Sequence, residues 1–172
     1  MENIEKKLPI EKWRESVKGL GPLGVAVILA HSGNPARYPL DGHNDNARAF
    51  TKRLGMAPKD AYKTGKTGGR IWPQSAYSDI YGMVRDPMIR AQWRGGDDDE
   101  EGFALGPYGE IYRDVKTFSL GFGKTKLHAE RHARAMAVKA VCRDLWITWR
   151  KEIGADPKGN GELPHGTEAG EA

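Results

Sequence analysis

Residues 80–120 read IYGMVRDPMIRAQWRGGDDDEEGFALGPYGEIYRDVKTFSL. Three short apolar stretches stand out in it: Ile80 to Val84, Met88 to Arg94 and Ile111 to Leu120. A turn at Arg85-Asp86-Pro87 separates the first two, and the acidic loop Asp97-Asp98-Asp99-Glu100-Glu101, flanked by Gly95, Gly96 and Gly102, separates the second from the third. Short runs bounded by such breakers predict β-strands.

Downstream, from Thr125 to Gly154, nothing interrupts a helical period. Ala129, Ala133, Met136, Ala137, Ala140, Val141 and Ile147 fall on one face, which predicts a helix of about 28 residues, roughly 40 Å long. Its packing face is mostly alanine, so its partner must approach closely. Three antiparallel strands crossed by this helix make a two-layer unit. The expected fold class is α+β: a three-stranded antiparallel sheet packed on one long C-terminal helix, with an extended, partly helical N-terminal region.

Upstream, Pro9 precedes Ile10, Trp13, Val17 and Leu20 at helical spacing, with Gly19 and Gly21 as stop signals. A second short helix is expected from Asp45 as N-cap through Ala47, Phe50 and Leu54, closed by Gly55. Residues 56–75 carry Lys59, Lys63, Lys66 and Arg70 between glycines and read as an extended basic arm. The expected divisions are an N-terminal helix and arm over 1–77, a sheet-helix domain over 78–153 and a flexible acidic tail over 154–172.

The chain has 172 residues, 38% of them hydrophobic, with 22 glycines and 10 prolines. That glycine share is nearly twice the usual value of roughly 7%, and the length excludes a large two-domain enzyme. A single cysteine, Cys142, excludes an internal disulfide and a Cys-rich zinc module. The longest apolar run, Leu23 to Ala30, is far below the roughly 20 residues that cross a bilayer, so a soluble protein without membrane insertion is expected. The first residues fit neither a secretory signal nor an organellar presequence. The formal net charge of +4 conceals two blocks of +6, over 1–70 and 111–153, offset by −5 over 71–110 and −3 over 154–172.

Motifs that suggest catalysis fail on their chemistry. The triplets Gly65-Lys66-Thr67 and Gly123-Lys124-Thr125 lack the earlier glycine of a phosphate loop, with Asp60 and Phe118 in its place. His128-Ala129-Glu130 matches half of a zinc deaminase site without the required cysteine pair. His128 and His132 lie one turn apart but lack a third ligand nearby, and a lone Cys142 on a helix reads as a packing residue. No cofactor, metal or enzymatic activity is expected.

Residues 78–140 resemble the Apetala-two/ethylene-response-factor type of DNA-binding domain, in its divergent protist branch. The resemblance rests on Gly82-Met83 in the first stretch, RAQW at Arg90 to Trp93, KTFSL at Lys116 to Leu120, and the Ala129/Ala133 spacing. It implies that Ile89, Ala91 and Trp93 face the helix while Arg90, Gln92 and Arg94 face outward. The implied contact face is Tyr81, Val84, Arg90, Gln92, Arg94, Arg113, Thr117 and Ser119. DNA-reading members concentrate arginines there, whereas this chain offers Tyr81, Val84, Thr117 and Ser119, and its acidic loop repels a duplex lying across it; a face short of base-reading arginines is compatible with RNA recognition through shape and backbone.

The function expected is therefore a nucleic-acid-binding structural protein, an rRNA-binding component of a mitochondrial ribosome with neighbouring ribosomal proteins as partners. The alternatives are a sequence-specific factor on double-stranded DNA in the nucleus and a non-catalytic subunit of another large assembly. The expected contacts are Arg90, Gln92, Arg94, Arg113, Lys116, Thr117, Ser119, Lys124, Lys126 and Arg131, with Lys63, Lys66 and Arg70 on the arm.

Overall fold

A computed structural model describes residues 8–38, 46–57, 73–95 and 102–154 of the chain. The architecture is helical. The elements run α1 (Glu11–Ser16), α2 (Pro22–Ser32), a 3-10 turn (Pro35–Arg37), α3 (Asn46–Arg53), α4 (Gln74–Ile80), a π-helical turn (Tyr81–Arg85) and α5 (Asp86–Gln92). They continue through β1 (Trp93–Arg94) and β2 (Phe103–Ala104) to α6 (Pro107–Gly121) and α7 (Lys126–Glu152).

The expected three-stranded sheet is therefore corrected. Ile80 to Val84 lies in the end of α4 and the π-helical turn, Met88 to Gln92 lies in α5, and Ile111 to Leu120 lies inside α6. The strands described are β1 and β2, two residues each, antiparallel with Trp93 opposite Ala104 and Arg94 opposite Phe103. The physical reason is visible in burial. Along α6, Tyr108, Tyr112 and Ser119 are buried and Ile111 and Val115 are half-buried, a 3.6-residue period rather than alternation. Along α5, Met88, Ile89 and Gln92 are buried while Arg90 is exposed, so Gln92 points inward instead of sharing an outward face with Arg90 and Arg94.

Nor does the expected turn at Arg85-Asp86-Pro87 break the chain. Pro87 has no N–H and its ring crowds the carbonyl four residues earlier. The π-helical turn before it widens the helix, so α4 and α5 run on as one rod with Pro87 in the first turn of α5. Tyr77 and Tyr81 stack at 3.9 Å on that rod, and the Arg85 guanidinium lies 4.1 Å over the Tyr81 ring.

Two short N-terminal helices form where they are expected; α1 is confined to Glu11–Ser16, so Pro9 precedes it and Val17 and Leu20 follow it, and the expected N-cap Asp45 of α3 lies outside the described residues. Gly19 and Gly55 take positive φ of 81° and 78°, which glycine adopts without a Cβ penalty. The apolar run Leu23 to Ala30 becomes most of α2, with Pro22 in its first turn. The long C-terminal helix also forms, capped by the Thr125 hydroxyl, which accepts from the His128 N–H. Ala129, Ala133 and Ala137 on α7 are fully buried, and α6 is its main partner. One apolar core gathers Ile10, Val25, Ile28, Phe50, Leu54, Ile80, Val84, Met88, Tyr108, Val138, Val141 and Trp146, so α1 to α3 share it with α7. Cys142 is fully buried within it, and burial pushes its thiol pKa well up. Lys63, Lys66 and Arg70, the acidic loop Asp97 to Glu101, and the tail beyond Gly154 lie outside the described residues.

The start of α6 is held by Gln92. Its side-chain amide donates to the Lys18 carbonyl at 3.0 Å, its side-chain oxygen accepts from the Tyr108 N–H at 3.0 Å, and its backbone carbonyl accepts from the Leu105 N–H at 2.7 Å. Such an approach leaves no room for side chains opposite. A Cβ on Gly109 would sit 2.0 Å from the Gln92 carbonyl oxygen, and one on Gly106 would sit 2.7 Å from its side-chain oxygen. Gly109→Ala should therefore destabilise the protein by about 3 kcal/mol. Gly121→Ala, with nothing within 4 Å of the new Cβ, should be neutral or slightly stabilising. Urea unfolding midpoints of the two variants compare them directly, and equal midpoints would refute the close approach.

Candidate nucleic-acid interface

Helices α6 and α7 form an antiparallel hairpin whose bend is built by a Schellman motif. The Gly123 N–H donates to Leu120 O at 2.9 Å and the Lys124 N–H to Ser119 O at 3.2 Å, with Gly123 at φ 74°. Two residues later Thr125 caps α7, so the hairpin turns in four residues, Phe122 to Thr125. Large apolar groups crowd this tip in spite of its exposure. Phe118 is 63% exposed, Phe122 73% and Leu127 56%, with Leu120 beside them. The two phenyl rings lie 4.5 Å apart at 43°.

The charges around the tip have one sign. From Val115 to Ala129 the sequence contains Lys116, Lys124, Lys126 and His128 and no acidic residue. Lys124, Lys126, His128 and Arg131 are exposed, as is Thr117. The bend thus presents a pair of exposed phenyl rings in a stretch of sequence that carries cations and no acids.

Behind the tip, an ionic network locks the two helices. Tyr112 donates its hydroxyl to Glu130, Lys116 reaches Glu130 at 3.1 Å, and Arg134 bridges Glu130 to Asp86, the latter at 3.5 Å. Arg85 completes it at 2.7 Å from Asp86. Burial acts to raise the Glu130 carboxyl pKa, but bonds from Tyr112, Arg134 and Lys116 outweigh it and hold the group below its ordinary value. Burial acts to lower Lys116, and its bonds to Glu130 and Tyr112 outweigh that and raise it. The Asp86 carboxyl is lowered chiefly by its bond from Arg85.

The expected contact residues divide on this framework. Lys124, Lys126, Arg131 and Thr117 gather at the hairpin tip. Arg90 and Arg94 are exposed on α5 and β1, beside the start of α6, about 22 Å away by the length of that helix. Arg113 is exposed on α6 and pairs with its neighbour Asp114 at 2.8 Å. Three of the expected contacts are engaged within the fold. Gln92 is buried in its clamp, Lys116 is held by Glu130, and Ser119 is buried against His132 Nδ1 at 2.9 Å. The exposed Phe118, Phe122 and Leu127 were not legible as a site while KTFSL read as a strand. Their signal in the sequence is the pair of phenylalanines one turn apart before Gly123-Lys124.

His128 lies 3.0 Å from the Thr125 hydroxyl, so both histidines singled out for their spacing are engaged with hydroxyl groups. Among the described residues no group of three His, Cys, Asp or Glu side chains could hold a metal ion, and no helix is long and apolar enough to cross a membrane. No family model, no curated protein and no solved structure matches the chain.

The ionic network makes acid stability its readout. Carboxyls lowered in the folded state stabilise it fully above their unfolded pKa, and that contribution is lost as pH falls through the folded value. Lys116, which is raised, keeps its contribution until strongly alkaline pH. The melting temperature should therefore fall as pH drops below about 5, and Glu130→Gln should make that fall shallower. An identical slope in the variant would show that Glu130 is not held by its neighbours.

Proposed function

We propose that the protein is a non-catalytic RNA-binding component of a ribonucleoprotein assembly, and that it meets RNA through the tip of the α6–α7 hairpin. The observation that carries this reading is the exposed Phe118–Phe122 pair beside Lys124 and Lys126 in a stretch without acidic residues, with the exposed Arg131 just beyond it on α7. Aromatic faces offer stacking surfaces to unpaired bases, and flanking cations neutralise phosphates. Neither partner alone explains the arrangement: isolated cations need no exposed phenyl rings, and solvated phenyl rings gain nothing from cations alone.

The duplex-reading alternative depended on a three-stranded face to lie in a major groove, and among the described residues the two-residue strands β1 and β2 offer none. The third alternative, a subunit that docks on protein, gains from the same tip, because clustered exposed apolar groups also mark protein interfaces. Salt dependence separates them. Three phosphate contacts on a single strand predict a slope of log affinity against log salt of about −2.

Fluorescence anisotropy with a labelled single-stranded RNA should show that slope in the full chain. Lys124→Gln with Lys126→Gln should reduce it by about 1.4. Phe118→Ala with Phe122→Ala should weaken binding by about 10- to 100-fold and leave the slope unchanged. Sedimentation of mitochondrial lysate with and without ribonuclease extends the test to the particle. The proposal fails if the RNA does not bind, if duplex DNA binds more tightly, or if the protein stays in heavy fractions after ribonuclease treatment.

A further inference from the structure

A second basic feature lies well away from the hairpin tip. Between α3, α6 and α7 the surface opens into a cleft of about 380 Å³, whose apolar floor includes Ile111, Met136 and Ala140. Arg48 enters it from α3, and Lys139 and Arg143 enter from α7. Among the described residues no carboxylate lines it. Its size falls in the lower part of the range for small-molecule sites, roughly 300–1,000 Å³. Along α7, Lys139 is about 20 Å from Lys126 at the tip.

Arg48 and Lys139 have no carboxylate partner among the described residues. Arg143 has its sequence neighbour Asp144 at 3.3 Å, an exposed pair of little strength. Lys139 and Arg143 stand one turn apart on the same face of α7, and Arg48 closes the cleft across from them. Three like charges around an apolar floor repel each other when the cleft is empty. A multiply charged anion relieves that repulsion, and guanidinium groups match the oxygens of phosphate with paired hydrogen bonds.

We infer that this cleft binds an organic phosphate monoester, with the phosphate held by Arg48, Lys139 and Arg143 and an apolar or planar body resting on Ile111, Met136 and Ala140. A bare anion would leave the floor unused, and an uncharged body would leave three cations unanswered. The ester can come from a nucleoside monophosphate or from a single-chain lipid phosphate, which share this head-and-body chemistry. The inference stands apart from the RNA reading, because its residues lie outside the hairpin tip.

Isothermal titration of the full chain with inorganic phosphate, adenosine, adenosine monophosphate and octyl phosphate tests it. At least one ester should bind at least about tenfold more tightly than inorganic phosphate, and adenosine should not bind. Which ester binds more tightly identifies the source. Arg48→Gln with Lys139→Gln should weaken the better ester about tenfold or more, and Met136→Glu should weaken it as well by placing a negative charge on the floor. All three positions are on the surface, and circular dichroism checks that the variants fold. Lys124→Gln with Lys126→Gln should leave ester binding unchanged, which separates failure here from failure of the RNA reading. The inference is overturned if neither ester binds up to about 5 mM, if inorganic phosphate binds as tightly as the esters, or if the Arg48/Lys139 double variant binds as the native chain does.

Discussion

The side chain of Gln92 carries one amide into the interior, and the course of the chain around it follows from satisfying that amide. A buried amide without partners costs about 1–3 kcal/mol for each unmet group. Here its N–H reaches the Lys18 carbonyl in the turn after α1 and its oxygen meets the N–H of Tyr108 at the start of α6. Three segments distant in sequence are thereby set against each other. Gly106 and Gly109 are the sequence counterpart of this contact, since a Cβ at either position would occupy the space of the Gln92 side chain or carbonyl. With α6 so placed, its buried tyrosines face α7, and the alanine face of α7 permits the close approach.

Polar groups between α6 and α7 then determine which cations remain available. Glu130 draws in Tyr112, Lys116 and Arg134, and Asp86 draws in Arg85 and Arg134. Between Glu130 and the bend the sequence holds no acidic residue, and the Schellman turn leaves Phe118 and Phe122 exposed. The α3–α7 cleft holds a second group of cations: Arg48 and Lys139 have no carboxylate partner among the described residues, and Arg143 has Asp144 beside it.

Legibility in the sequence differed between elements for identifiable reasons. The α7 helix was readable because nearly thirty residues without Gly or Pro sustain one period, and α1 and α3 because glycines mark their ends. Ile111 to Leu120 misled because Ile, Tyr, Val, Thr and Phe favour strands, and a run of ten residues is short enough for either period. The relevant signal was the spacing of Tyr108, Tyr112, Val115 and Ser119 behind Pro107. Pro87 misled in the opposite sense, since a proline that normally marks a break was absorbed by a widened turn. Of the expected contacts, Lys124, Lys126 and Arg131 needed only their position near the helix start to be exposed. Gln92, Lys116 and Ser119 could not be sorted by residue type, because polar side chains at a helix interface and on a free face look alike in sequence.

By itself, then, the sequence determined the long C-terminal helix, the buried alanines of its first half, the glycine-closed helix ends and the concentration of positive charge in two blocks. These are local properties, decided by caps, period and composition within one or two turns. Tertiary structure decided that residues 80–120 are helical, that Gln92 and Ser119 are buried, and that two phenylalanines are left in solvent. Those outcomes depend on which partner each face meets, and short apolar segments acquire a definite conformation only when a neighbouring surface selects one of the periods they can satisfy.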